Sequence, residues 1–235
     1  MTICAHCTRT KDDLVKRFLR DNGLSLVMFG LFALFLVGQS VTGFAVYNDE
    51  EHEHGETTIS YPEYLRTGHF VEATFENWES EYLQMGAYVL FTVYLFQRGS
   101  SESKDPDKAE PVDEDPQQVQ DRSDVPWPVR SGGPVLRLYE HSLATAFVLL
   151  FLVSFVLHAV GGAREYSQEQ LAHGGQAVSA MEFLRTSEFW FQSFQNWQSE
   201  FLAVFSIVVL SIFLRQRGSP ESKPVAAAHA ETGSA

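Results

Sequence analysis

The chain is poor in three things that often identify a protein. It has 2 cysteines in 235 residues, Cys4 and Cys7, too few for a disulfide-stapled fold. Their run, Cys4-Ala-His-Cys7, lacks the His after the second Cys that haem attachment needs. It also lacks the second ligand pair of a structural zinc site, so incidental thiols on a terminal tip are the plainer reading. Basic residues are scarce: 17 Lys and Arg stand against 30 Asp and Glu, a net charge of −13. That is the wrong sign for a protein that neutralises nucleic-acid phosphates. No G-x-S-x-G, H-E-x-x-H or P-loop pattern occurs. No enzyme, catalytic residue, cofactor or resident metal is therefore expected.

Long apolar runs are what the chain does have. Residues 24–46 and 143–163 are 23 and 21 residues long, and about 20 suffice to cross the hydrocarbon core. Residues 83–96 and 201–214 are only 14 each. They reach spanning length when counted from Trp78 to Gln97 and from Trp197 to Gln216, with interfacial tryptophans at one end and arginines at the other. Four spans are expected. The basic residues Lys11, Lys16, Arg17 and Arg20 before the first run suggest a leader, but that run exceeds the usual 7–15-residue core of a signal peptide. Its equivalent also recurs in mid-chain.

That recurrence reflects a duplication. Residues 19–104 align with 138–223 without a gap, 119 positions on, with 32 of 86 identical. Asn77-Trp-x-Ser-Glu81 pairs with Asn196-Trp-x-Ser-Glu200, and Gln97-Arg-Gly-Ser-x-Glu-Ser-Lys104 with Gln216-Arg-Gly-Ser-x-Glu-Ser-Lys223. A glycine after the last apolar turn predicts a helix C-cap. Two spans per repeat put both repeats in the same orientation.

The fold class that follows is an all-α membrane protein: four transmembrane helices as two parallel two-helix repeats, with short interfacial helices. Its segments are an N-terminal segment (1–23), repeat 1 (24–99), a linker (100–134), repeat 2 (135–218) and a tail (219–235). The linker carries six of nine prolines and many charges, which predicts a disordered acidic tether; the tail is expected to be disordered too. Assigning the stretches before the first span, between Arg98 and Arg137 and from Arg215 onward to one side collects 14 of 17 basic residues. The positive-inside rule then makes that side cytoplasmic. Before each short span stands a capping box, Ser60-Tyr-Pro-Glu63 and Ser179-Ala-Met-Glu182. Thr67, Gly68 and Thr186 follow as a break between an interfacial helix and the span.

Leu19-Arg-Asp-Asn-Gly-Leu-Ser25, Asn196-Trp-Gln-Ser-Glu200 and Gln216-Arg-Gly-Ser-Pro-Glu-Ser-Lys223 carry a resemblance along nearly the whole chain. It resembles a bacterial family of membrane proteins with a domain of unknown function. The resemblance implies this architecture and a place in the bacterial inner membrane, but no activity.

Two groups of polar residues remain. Asp49-Glu-Glu-His-Glu-His54, with His52 and His54, has donors for a divalent cation; a hydrated acidic loop is the plainer reading. Asn77, Ser80, Glu81 and Gln84 share one helix face, and Asn196, Ser199 and Glu200 repeat it. On the first span of each repeat, Gln39 corresponds to His158, and helix rise places Gln39 near Glu81 and His158 near Glu200. Such a face belongs inside a bundle. It is expected to serve as packing glue in a structural or interaction protein of the envelope, whose partners are the bilayer and further membrane proteins or copies of itself. The alternative is a small oligomeric transporter or channel using Glu81 and Glu200 as coupling acids.

Overall fold

The computed structural model describes residues 11–53 and 55–233, and every regular element among them is helical. Cys4, Cys7 and His54 lie outside the described residues. Helix α1 (Lys11–Asp21) leads into α2 (Gly23–Glu53), α3 (Tyr61–Tyr64) and α4 (Gly68–Tyr94). Two 3-10 turns, Pro111–Asp113 and Pro116–Val119, precede α5 (Trp127–Ser131), α6 (Gly133–Glu140), α7 (Ser142–Ala172), α8 (Ala180–Phe183) and α9 (Ser187–Phe213). The helices α2, α3 and α4 contain 31, 4 and 27 residues, and so do α7, α8 and α9. Gly23, Tyr61 and Gly68 open the first set and Ser142, Ala180 and Ser187 the second, each pair 119 residues apart.

Three described helices, not four, are long and apolar enough to cross a membrane: α2, α7 and α9. Of the spans expected from the sequence, the second fails. Helix α4 carries Glu72, Glu76, Glu79 and Glu81, and its apolar part from Leu83 to Tyr94 extends only about 18 Å at 1.5 Å per residue. A hydrocarbon core is ~30 Å thick. Helix α9 passes because Phe191, Gln195 and Gln198 stand where α4 has Glu72, Glu76 and Glu79.

The chain folds as two compact units, 1–66 and 67–235. In the first, α3 folds back on the end of α2. Tyr64 is buried against Gly43, where a Cβ would strike its hydroxyl. Phe44 and Tyr47 pack their rings 5.9 and 5.7 Å from that of Tyr64. Tyr61 and Ser40 share a hydroxyl hydrogen bond of 2.7 Å. Asn48 clips the returning strand, accepting from the Ile59 N–H at 2.8 Å and donating to its carbonyl at 3.3 Å.

In the second unit the corner between α7 and α8 uses the same positions. Phe183 is buried against Gly162, Tyr166 packs 5.6 Å from its ring, and Ser167 accepts the Val178 N–H at 2.9 Å. Both corners end alike. Ser60 and Ser179 close capping boxes with Glu63 and Glu182, and Thr67 and Thr186 restart the chain as the N-caps of α4 and α9. The expected break thus lies at these threonines.

Within this unit α4 packs chiefly on α7 and secondarily on α9. Glycines set the closeness of α4 to α7. A Cβ on Gly161 would stand 2.6 Å from the Glu72 nitrogen, and one on Gly68 would stand 2.6 Å from that of Glu165. Small residues allow such approach between helices where apolar burial gives little drive. At the other end of the pair Gly86 meets Phe147, so the two helices run antiparallel and remain in contact from end to end.

Residues 100–134 and 219–233 are not featureless. After α4 and α9 the chain runs extended, and Gly99 and Gly218, at φ 87° and 85°, make turns rather than helix caps. Only glycine takes such φ values without strain. The turns close with Ser100 N–H to Gln97 O at 3.1 Å and Ser219 N–H to Gln216 O at 3.2 Å. Lys223, expected in a disordered tail, is 1% exposed. Its ammonium donates to the backbone carbonyls of Gly99, Ala228, His229 and Glu231. A buried charge persists only with such partners; here one comes from the turn at Gly99 and three from the tail.

Candidate functional site

Glu72, Glu76 and Glu79 fall at spacing 0, 4 and 7 and share one face of α4. The close approach at Gly161 and Gly162 brings that face onto α7, one turn past His158. Helix α9, started by its Thr186 cap, brings Gln192, Ser193 and Trp197 to the same place.

The centre is the pair Glu79 and His158, both 0% exposed. His158 Nδ1 lies 2.8 Å from Glu79 Oε2, and His158 Nε2 lies 3.1 Å from Gln192 Oε1. The other carboxylate oxygen of Glu79 accepts the Trp197 indole N–H at 3.1 Å and the Ser193 hydroxyl at 3.3 Å. Gln192 turns its amide nitrogen to Glu72 at 2.8 Å and Glu188 at 3.2 Å. Phe189 stacks on the imidazole at 4.7 Å and 26°, shielding one face. Each polar atom of the buried pair thus has a partner, as burial demands. The result is a polar lock joining three helices.

The residues singled out from the sequence are distributed differently. Asn77 and Asn196 donate to Ala73 O and Gln192 O, and Ser80 and Ser199 to Asn77 O and Asn196 O, all within their own helices. Glu81 and Glu200 do come together, their charges acting on one another between α4 and α9. Gln84 donates to the Glu200 carbonyl at 3.0 Å. Gln39 is half-buried in α2, in the first unit.

His158 meets an acid, but Glu79 rather than Glu200. The reason is angular: α4 faces α7 through Gly68, Glu72, Glu79 and Gly86, and Glu81 lies about 200° further round the helix. The missed residues are Glu72, Glu79, Gln192 and Ser193. For Glu72 and Glu79 the signal is an acidic row running into an apolar stretch with no acidic counterpart 119 residues on; Gln192 and Ser193 carry none.

Among the described residues no three His, Cys, Asp or Glu side chains are placed to hold a metal ion. Asp49 to His52 form the last turns of α2. A cavity of about 650 Å³ lies at the end of α4, lined by Tyr88, Thr92, Glu102, Lys104, Asp113 and Glu221 among others. Tyr88 donates to Glu102 there at 2.7 Å, and Lys104 pairs with Asp113 at 2.6 Å. Neither Glu81 nor Glu200 lines it.

In the exposed loops, hydrogen bonds from the Ser60 hydroxyl and N–H hold the Glu63 carboxyl below the usual glutamate range. The Ser179 N–H and hydroxyl do the same for Glu182.

These features define an all-helical protein with three helices able to cross a membrane and a buried acid–imidazole lock. The chain belongs to the family of the domain of unknown function DUF6766, whose model matches residues 15–234. No curated protein and no solved structure matches it.

Proposed function

We propose that this is a multi-pass protein of the bacterial inner membrane, built by duplication, that acts structurally or through interactions and not as an enzyme. The carrying observation is the direction of the α4 acids: Glu72 and Glu79 are buried against α7 and α9. A helix too polar to face lipid crosses when its neighbours take its charges. Helix α4 lies along the apolar length of α7, so a membrane-spanning α7 carries α4 with it. On this reading the N-terminus, linker and tail are cytoplasmic, the partners are lipid and further membrane proteins or copies of this chain, and nucleic acid is not among them. The repetition of corner, caps and turns at a 119-residue spacing supports the duplication.

Alkaline phosphatase inserted after Ser60, with the rest of the chain retained behind it, is expected to be active and, inserted in the same way after Gln118, nearly inactive. The reverse pattern overturns the topology. Activity at both sites means that α4 does not cross, and removes the fourth span.

A second reading, a small oligomeric transporter or channel, has one observation in its favour: the charges of the matched acids Glu81 and Glu200 act on one another. Replacing both with Gln and finding no change in ion or solute flux through vesicles holding the chain would dismiss it.

A further inference from the structure

We infer that the Glu79–His158 pair is a proton-binding site inside the bundle, and that losing its proton forces the Gln192 amide to turn, loosening α9 from α4. The argument is a count of hydrogens. Glu188 presents a carboxylate oxygen to Gln192, and a carboxylate only accepts; Glu72 turns Oε1 to the same end, an oxygen that accepts as carboxylate or as carbonyl. The NH2 end of Gln192 therefore faces them, which leaves its Oε1 facing His158 Nε2. An amide oxygen only accepts, so Nε2 carries a hydrogen. The contact of 2.8 Å between Nδ1 and Glu79 Oε2 needs a hydrogen as well, on the ring or on the carboxyl. The pair thus holds two hydrogens, one more than a neutral imidazole beside a carboxylate.

The surroundings favour holding that extra proton. The titratable groups acting on the pair are Glu72 and Glu76 on α4, with Glu165 on α7 and Glu188 on α9 acting in turn on those two. All are acids, and His158 is the one base among the groups acting on them. A low-dielectric interior penalises uncompensated negative charge heavily, and a bound proton offsets part of it. Glu79 sits at its focus, already accepting from Trp197 and Ser193.

Release has a defined path. When the proton leaves, the carboxylate of Glu79 keeps its bond only if the remaining ring hydrogen sits on Nδ1. Bare Nε2 then meets the lone pairs of Gln192 Oε1, and the amide must turn its NH2 toward the ring. That turn withdraws the donor from Glu72, one of the three hydrogen bonds tying α9 to α4 here, and leaves the other two, from Trp197 and Ser193 to Glu79. Proton occupancy at α4–α7 is in this way linked to the α4–α9 contact.

The test uses the full chain in phosphatidylcholine nanodiscs, with 15N-labelled imidazoles and infrared detection of carboxyl groups. The conservative variant is Glu79→Gln, whose amide can donate to Nδ1 while accepting from Trp197 and Ser193, so the fold is kept without the extra proton. Near neutral pH the wild-type chain is expected to show either an imidazolium at His158 or a protonated-acid band absent from Glu79→Gln. Raising the pH should remove one proton from the Glu79–His158 pair, read at the His158 nitrogens, and shift the Gln192 side-chain amide and Trp197 indole with it; Glu79→Gln should show none of this. A neutral His158 together with an ionised Glu79 near neutral pH overturns the proposal, as does a one-proton step surviving unchanged in Glu79→Gln. Should that variant not fold, subtraction of His158→Asn isolates the same signals.

Discussion

The two helical corners, α2–α3 and α7–α8, are nearly the same object, whereas the centre at α4, α7 and α9 has no twin. In each corner an aromatic ring covers a glycine and a polar side chain clips the returning strand, as Gly43, Tyr64 and Asn48 and as Gly162, Phe183 and Ser167. The centre draws on positions where the halves of the chain differ. Gln39 corresponds to His158, Phe191 to Glu72, Ala73 to Gln192, and Gln198 to Glu79. Small residues and caps can be copied without harm because their work is local. A buried ionisable pair needs partners from three helices, and a few substitutions suffice to create it.

The sharpest way to break this contrast is to remove one member of the pair. Glu79→Leu or His158→Ala leaves a buried polar group without its partner, a loss typically of about 3–5 kcal/mol. Thermal melting in mild detergent should show the full drop for either variant. A double variant, His158→Leu with Glu79→Leu, should recover much of it, because no lone charge remains. If the single variants melt like the wild type, the lock is not holding the helices.

Next in size is the helix spacing. Gly161→Leu places side-chain atoms against the Glu72 backbone, and overpacking of this kind costs about 1–3 kcal/mol. Thr42 already occupies the corresponding position of α2, so Thr42→Leu should cost far less. Equal melting of the two variants would erase the distinction between the halves at this point.

The smallest effect concerns what the corners share. Glu63 and Glu182 are held below the ordinary glutamate value of 4.5 by their serines. A carboxyl depressed in the folded state contributes stability above its unfolded value and loses it as pH falls through the folded one. Protection of the Ser60 and Ser179 amides from hydrogen exchange, taken relative to the intrinsic rate at each pH, should therefore hold near neutrality and fall together below pH 4.5. Glu63→Gln should abolish the pH step at Ser60 and leave the one at Ser179. A step at only one of the two amides in the wild type would show that the corners are not alike.

Much of this architecture was readable in advance because its causes are local. Apolar length marks α2, α7 and α9; Ser-x-x-Glu marks the caps; Thr67 and Thr186 mark the breaks. The failures have physical reasons. Helix α4 reads as a span from its tryptophan and arginine anchors, but Glu79 and Glu81 lie inside that stretch and shorten its apolar part. Nothing local in the tail shows that Gly99 presents a carbonyl to Lys223. The site was sought among matched residues, and Glu79 is unmatched.

Sequence alone determined the helical class, the N-terminal caps at the corners, the breaks and the 119-residue correspondence, all of which depend on neighbours within a turn or two. Only the tertiary structure decided that α4 rests on α7, that Glu79 and not Glu200 receives His158, and that Gln192 orients the ring. Those outcomes depend on which helix faces meet, and a rotation of about 100° per residue makes an acid two positions away point to the far side.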